Sequence, residues 1–206
     1  MPRPKLNDPG TFPLLCHPAC GRGAVERIEV RVRRAEGSLW LRFRLEEHVG
    51  RLVLPPVRPT ARRDGLWRHT CFELFLRAPG AAGYAELNLS PSGEWAAYRF
   101  DAYRSGMHEL EVAPAPAVEV VARDDRALEV DVSIARVPEP WGRAVSWQLG
   151  VSAVLEDAAG ALAYWSLAHP PGAPDFHHPA GFALEIGAWA PAGTAAAPQP
   201  ESSGSD

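Results

Sequence analysis

Apolar and polar residues alternate along most of this chain, a pattern typical of β-strands that place one face in a core. Ile28, Val30 and Val32 alternate with polar neighbours in one early stretch. Successive side chains of a strand point to opposite faces, so each such stretch presents one apolar face. The pattern predicts strands at 25–34, 38–46, 51–54, 71–77, 84–90, 94–101, 118–123, 127–134, 147–156, 162–168 and 182–186.

Short turn sequences separate these stretches. Glu-Gly at 36–37, Asp-Asp at 124–125 and DAAG at 157–160 stand where hairpin turns belong. A short helical turn is expected between 135 and 141, and no stretch has long helical periodicity. Many short strands with regular turn signals predict an all-β fold, a two-sheet antiparallel β-sandwich with few short helical turns.

The two ends of the chain differ in composition from its middle. Residues 1–24 are rich in proline and glycine, which predicts an irregular segment that packs on the domain. Residues 25–189 are predicted to form the sandwich. The last residues, 190–206, have too little apolar content for a core, so we expect a disordered tail.

Composition narrows the classes of partner. The net charge is −4 over 206 residues, with 46% hydrophobic and 22% charged residues, which is normal for a globular domain and gives no sign of nucleic-acid binding. The sequence contains no run of 18 apolar residues, so no membrane span is predicted. The first residues lack the apolar stretch of a secretory signal, so we expect a cytoplasmic protein without membrane partners.

The three cysteines do not form a metal-binding pattern. Cys16 and Cys20 have C-x3-C spacing, but no second pair completes a zinc site, and Cys71 stands alone. In a cytosolic protein we expect reduced thiols rather than a metal site or a disulfide.

Enzyme motifs are missing from the sequence. It contains no G-x-S-x-G, G-x-G-x-x-G, P-loop or H-E-x-x-H pattern, and no spacing ties Cys71 to a histidine as nucleophile and base. This favours a protein that is not an enzyme and has no catalytic residues.

Polar side chains follow one face of three consecutive predicted strands. Glu73 lies opposite the apolar row of its strand, Glu86 and Asn88 lie on the polar face of the next, and Arg99 lies on the third. If these strands pair as consecutive hairpins, the four side chains share one face. A ligand site and a solvated sheet face explain this alternation equally well.

The seven tryptophans add a second candidate feature. Trp147 heads an inward-facing apolar row and is predicted to be structural. Trp67 and Trp165 stand beside polar residues near strand ends. An indole stacks on the apolar face of a sugar ring, and carboxylate, amide and guanidinium groups bind its hydroxyls. Alternatively, each tryptophan fills a gap in the core.

The segment HPPGAPDFHHPAG, at 169–181, carries His169, Asp175, His177 and His178. Asp and His at such spacing can bind a metal, but adjacent histidines rarely both ligate one ion. We therefore predict a proline-stiffened connection with a capping aspartate, surface histidines and no metal.

Four longer motifs carry a resemblance to a known family: LLCHPAC, LWRHTCFELFL, ELNLSPSGEWAAYRFDAYRSGM and YWSLAHPPGAPDFHH. Together, from about residue 14 to 186, they resemble a bacterial group of stand-alone DOMON-like proteins related to family 9 carbohydrate-binding modules. The resemblance implies a two-sheet antiparallel β-sandwich, which agrees with the strand pattern.

The resemblance also implies a ligand and a site. Members of the wider DOMON group bind sugars or haem, and family 9 modules hold a sugar between two tryptophans. By motif position these are Trp67 and Trp165, with Glu73 and Arg99 as polar partners. We expect a small-molecule ligand, a carbohydrate or a sugar-like compound, and no cofactor.

Two alternatives stay open at this stage. In the first, the chain is a haem-binding, cytochrome-like module whose axial ligands are Met107 and His169. In the second, it is a protein-interaction domain that docks a partner through exposed tryptophans.

Overall fold

The computed structural model describes residues 5–6, 10–35, 37–47 and 51–187. Strands and connecting loops make up almost all of this part of the chain, with three short 3-10 helices at Leu66–Arg68, Trp141–Arg143 and Pro179–Gly181. The strands are β1 (Lys5–Leu6), β2 (Gly10–Cys16), β3 (Val25–Ala35), β4 (Ser38–Glu47), β5 (Cys71–Arg77), β6 (Tyr84–Leu89), β7 (Trp95–Phe100), β8 (His108–Glu109), β9 (Ala117–Arg123), β10 (Ala127–Ile134), β11 (Trp147–Glu156), β12 (Leu162–Ser166) and β13 (Leu184–Ile186).

Hydrogen-bonded strands form one continuous path in the order β8-β7-β6-β5-β11-β12-β2-β3-β4-β10-β9, with β13 beside β11 and β1 beside β13. Neighbours on this path are antiparallel, and β1 runs parallel to β13. Strand β2 pairs with β12 through Leu15 and Cys16 and with β3 through residues 10–14. The predicted separation into two sheets is therefore not confirmed. The fold is an all-β, strongly curled antiparallel sheet.

The curl brings two halves of the sheet together around one core. We call β5, β6, β7, β8, β11, β12 and β13 the β5 half, and β3, β4, β9 and β10 the β4 half. The rings of Phe43 in β4 and Phe72 in β5 lie 4.3 Å apart although these strands are not paired. The inner faces of both halves contribute to the same apolar cluster. Burying each large side chain there stabilises the fold by about 1.5–3 kcal/mol.

Trp147 belongs to this core, as predicted. It is fully buried, its Nε1 donates a hydrogen bond of 2.8 Å to the Trp141 carbonyl, and the Arg34 guanidinium lies 3.5 Å from its ring centre. Its indole N–H is thus satisfied without solvent, which allows complete burial.

Three predicted elements need correction. Residues 10–16, predicted to be irregular, form β2; Pro13 and the outward, exposed Leu15 obscure its alternation. The predicted strand at 51–54 is only an isolated bridge from Leu52 to Asp157. The helical turn begins at Trp141 rather than before it.

Other predictions have different outcomes. The hairpin turn at 157–160 is confirmed, since β11 and β12 pair across it and Gly160 has a φ of 79°. The predicted tail at 190–206 lies outside the described residues. In the described part of the chain, no helix has the length and apolarity needed to cross a membrane.

Candidate functional site

A cavity of about 420 Å³ lies on the outer face of the β5 half. The side chains of this face, unlike those of an ordinary solvated sheet, are largely buried. Phe176 and Phe182, from the segment 167–183, pack against them, and Arg104 and Met107 line the cavity at its side. The cavity is lined by Trp67, Glu73, Glu86, Tyr98, Phe100, Arg104, Met107, Val154, Tyr164, Pro174, Phe176 and His177.

Two carboxyl groups and an amide form the strand floor next to this cavity. Register places Glu73 of β5 opposite Asn88 of β6, and Glu86 one outward position further along β6. The Asn88 Nδ2 donates a hydrogen bond of 2.8 Å to Glu86 Oε1. All three residues are buried, and the Asn88 Oδ1 has no hydrogen-bond partner among the described residues. Such an oxygen can accept a hydrogen bond from a ligand or water.

Segment 103–107 and the loop before β13 meet at the side of the cavity. Asp175 accepts hydrogen bonds from Tyr103 at 2.5 Å and from Arg104 at 2.7 Å, and its Oδ1 also accepts from the His177 N–H at 3.1 Å. The backbone N–H of Arg104 donates to the Tyr84 hydroxyl oxygen at 3.2 Å. Arg104 has a φ of 51°, in the left-handed region that non-glycine residues rarely adopt. These bonds hold its guanidinium beside the cavity.

His177 is placed with its ring between Tyr84 and Glu86. The Tyr84 hydroxyl lies 2.8 Å from His177 Nδ1, and His177 Nε2 lies 3.7 Å from Glu86 Oε2. Because the tyrosine oxygen already accepts from Arg104, its own proton is free to be donated to Nδ1. The neutral imidazole then carries its proton on Nε2, which faces Glu86.

Burial shifts the pKa values of these groups away from their ordinary range. It raises the pKa of Glu73 well above the usual value, with a further increase from Glu86 nearby. It also raises the pKa of Glu86 to about 7, although the Asn88 hydrogen bond and Arg104 partly oppose this. For His177, burial and then the Arg104 charge lower the pKa to about 4. At neutral pH His177 is therefore neutral, and burial favours the protonated form of Glu73.

Aromatic rings supply the apolar part of the cavity wall. Trp67 is 39% exposed and meets the Tyr98 ring edge-on, with 6.2 Å between ring centres. It belongs to the 3-10 helix Leu66–Arg68, whose preceding Gly65 has a φ of 79°. The ring centre of Tyr164, in β12, lies 6.1 Å from that of Phe176, in the loop before β13. Aromatic faces and hydrogen-bonding groups thus share one cavity.

The predicted pairing of Trp67 with Trp165 is wrong. Trp165 lies opposite Ala153 in register, faces inward, is 3% exposed and belongs to the main core. Its neighbour Tyr164 faces the cavity instead. Adjacent strand residues point to opposite faces, so one position decides which aromatic reaches the ligand space.

Arg99 also lies away from the cavity. It lies two residues after Ala97 in β7, on the same face of the sheet, which is the core face and not the cavity face. Its side chain is exposed, and its guanidinium lies 3.6 Å from the Asp101 carboxylate. The guanidinium at the cavity belongs to Arg104. The structure therefore brings together Trp67 and Glu73, with Asn88 beside them, and leaves out Arg99 and Trp165.

The site contains residues that sequence reasoning did not select. Glu86 was visible in the polar row of its strand, and His177 in the proline-rich loop, but His177 is half-buried rather than on the surface. Tyr164 stands one position from the tryptophan chosen in its place. Arg104 lies between strands, where no periodicity marks it.

The alternative haem ligands are not brought to one cavity. Met107 lines the cavity, whereas the His169 Nε2 lies 2.8 Å from the Leu15 carbonyl and its ring packs edge-on against His17. This pair does not fit a haem. Within the described residues, no group of three or more His, Cys, Asp or Glu side chains is arranged to hold a metal ion.

Comparison with solved structures identifies similar folds. A candidate carbohydrate-binding protein from Bacteroides uniformis ATCC 8492 matches with a TM-score of 0.58 and 14% identity, over 87% of this chain and 86% of that one. A family 9 carbohydrate-binding module from Caldicellulosiruptor kristjanssonii, in complex with cellotriose, matches with a TM-score of 0.53 and 12% identity, over 94% and 89%. No family model and no curated protein matches the chain. The chain thus has the fold of these proteins, at an identity too low to carry over a ligand or its binding residues.

Proposed function

We propose that this protein binds a small carbohydrate, or a sugar-like compound, in the cavity of the β5 half and catalyses no reaction on it. The observation that carries the proposal is that the exposed Trp67 and the half-buried Tyr164 line the same cavity as Glu73 and Glu86. A pyranose ring has an apolar face and a polar rim, and this combination of aromatic and hydrogen-bonding side chains complements both.

The raised pKa values of the two floor carboxyls favour a neutral, hydroxyl-rich ligand. In its protonated form Glu73 is both a donor and an acceptor, as a sugar hydroxyl is, so the two can exchange paired hydrogen bonds. The Asn88 Oδ1, which none of the described residues bonds, offers another acceptor. Arg104 has part of its charge neutralised by Asp175, so the cavity does not require an anionic ligand.

The comparisons support the ligand class. Two folds of the same kind, detected over most of this chain, belong to a candidate carbohydrate-binding protein and to a module in complex with cellotriose. We propose a relation to DOMON-like proteins on the motifs given above. A cytoplasmic location in a bacterium and the lack of nucleic-acid and membrane partners stay predictions.

Isothermal titration calorimetry tests the proposal. The full chain is titrated with glucose, galactose, xylose, maltotriose and cellotriose at neutral pH. We expect at least one sugar to bind saturably, and Trp67→Ala to weaken that binding by about 1–3 kcal/mol through loss of a stacking surface.

Trp40→Ala is the matched control. Trp40 lies on the outer face of the β4 half, where its ring lies about 5 Å from the guanidinium carbons of Arg33 and Arg42. Its removal should leave sugar affinity unchanged. If no sugar binds at concentrations up to about 10 mM, or if both variants weaken binding equally, the proposed function is wrong.

A further inference from the structure

A pair of cysteines lies directly behind the cavity wall. Cys16 ends β2, and Cys20 follows four residues later, with 3.9 Å between the two sulfur atoms. The His17–Cys20 turn brings them together: the Cys20 N–H donates to the His17 carbonyl at 3.1 Å, and Pro18 stands at the second position of the turn. Proline favours that position because its φ is already fixed near the required value.

The two thiols are the accessible ones among the three cysteines. Cys16 and Cys20 are partly exposed, whereas Cys71 is completely buried. A disulfide has an S–S length of about 2.0 Å, so the sulfur atoms must approach by roughly 2 Å. Neither Sγ is held by a strong partner, since their contacts are thiol–carbonyl contacts of 3.3–3.8 Å and the Tyr164 N–H at 3.4 Å. Rotation of the two side chains can therefore close much of the gap.

The same turn holds the backbone of Tyr164, a residue of the cavity wall. The Tyr164 N–H donates to the Cys20 Sγ at 3.4 Å, and the Tyr164 carbonyl accepts from the His17 N–H at 2.8 Å. Both backbone polar groups of Tyr164 thus bond to the segment that carries the cysteines. A change at Cys20 removes or weakens one of these two bonds.

We propose that Cys16 and Cys20 form a reversible disulfide by exchange with a low-molecular-weight disulfide, and that closing it releases the Tyr164 N–H. This modification site goes beyond the proposed function, and its tests need no sugar.

The exchange balances as two thiol–disulfide steps. A thiolate of the protein attacks one sulfur of the small disulfide, which forms a mixed disulfide and expels one small thiol. The second cysteine then attacks the protein sulfur, forms the Cys16–Cys20 bond and expels the other small thiol. The protein dithiol is oxidised, the small disulfide is reduced to two thiols, and the two protein protons end on those thiols.

The closeness of the two sulfur atoms assists the second step of the exchange. With 3.9 Å between them, either thiol can make the first attack, and the other then lies beside the mixed disulfide. This proximity makes the second attack an intramolecular step. Burial, and then the neighbouring Cys20, raise the pKa of Cys16 to about 11, so alkaline pH should speed attack by Cys16.

The first experiment treats the full, reduced protein with excess oxidised glutathione under native conditions, followed by alkylation and peptide mass spectrometry. We expect a Cys16–Cys20 disulfide that dithiothreitol reverses, with Cys71 left as a free thiol. Cys16→Ser should accumulate glutathione on Cys20, and Cys20→Ser should accumulate it on Cys16, because neither variant can complete the second step. Cys71→Ala is the control and should still form the disulfide.

Failure to form the internal disulfide in the folded wild type, or glutathione retained on both Cys16 and Cys20, would overturn the proposal.

The second experiment compares amide hydrogen exchange in the reduced and oxidised proteins. Loss of one hydrogen bond should speed exchange at the Tyr164 amide about two- to tenfold, while amides of β6 on the same half keep their rates. Unchanged exchange at Tyr164 in a fully oxidised sample would refute the link to the cavity wall.

Discussion

The outer faces of the two halves have the same polar–apolar alternation but opposite structures. On the β4 half, Arg42 forms a two-point ion pair with Asp131, at 2.6 and 2.7 Å, and Arg44 lies 2.8 Å from Glu129; both arginines are well exposed. On the β5 half, Glu73 and Glu86 occupy equivalent outward positions but are buried beside a cavity.

What differs is the chain that lies above each face. On the β5 half, Phe176 and Phe182 of the segment 167–183 pack over the face, whereas the charged side chains of the β4 half remain in contact with water. A carboxylate in solvent is stabilised by water and a partner, but a covered carboxyl favours its protonated form. Alternation within a strand thus predicts two faces and leaves open whether the outer one is solvated or becomes a site.

The largest expected effect comes from removing an aromatic side chain from each outer face. Phe182 is 1% exposed and packs against Phe75 and Tyr84, so Phe182→Ala should lower the free energy of unfolding by roughly 3–5 kcal/mol. Trp40→Ala on the β4 half should lower the free energy of unfolding by less than about 1 kcal/mol. Urea denaturation measures both, and equal costs would mean that the two faces are equally covered.

The next effect concerns pH and compares Glu86→Gln with Glu129→Gln. The folded-state pKa of Glu86, about 7, is above its ordinary value of 4.5. The stability that this group contributes is therefore complete below about pH 4.5 and is lost as pH rises through 7. Gln resembles the protonated form of Glu. The free energy of unfolding of Glu86→Gln, relative to that of wild type, should therefore increase by about 2 to 3 kcal/mol between pH 4.5 and 8.

Glu129→Gln removes a solvated ion-pair partner and should show no such gain. Thermal unfolding at a series of pH values measures both variants against wild type. A flat difference for Glu86→Gln across this range would show that Glu86 titrates normally and that the face is open to water.

The smallest effect is expected at the ion pairs of the β4 half. Asp131→Asn should lower the free energy of unfolding by about 0.2–1 kcal/mol in 0.1 M salt. The loss should be smaller in 1 M salt, because solvent and ions screen a partly exposed pair. Urea denaturation at the two salt concentrations measures this. A cost above about 2 kcal/mol that salt does not change would make this face as shielded as the other.

Strand positions were largely predictable because alternation reports directly on the core. The predicted strands at 127–134 and 147–156 coincide with β10 and β11, and Trp147 is in the core as expected. The turn at 157–160 was predictable from its aspartate and glycine, which the structure uses to close the hairpin.

The site was only partly predictable. Glu73 was identifiable because it interrupts an apolar strand, but the choice between Tyr164 and Trp165 depends on which apolar set of LAYWSLA faces inward. Both sets contain large side chains, so the sequence does not decide. Arg104 and the covering loop reach the cavity through tertiary packing, which strand periodicity does not encode.

The central claim, that the covered face binds a sugar and the solvated face does not, is tested most directly by NMR of the tryptophan indole N–H groups. The tightest-binding sugar of the calorimetry panel is added to the full chain, and the seven tryptophan signals are assigned with single variants. We expect the Trp67 signal to shift saturably while those of Trp40 and the buried Trp147 stay in place. Saturable shifts at Trp40 without a change at Trp67 would contradict the account.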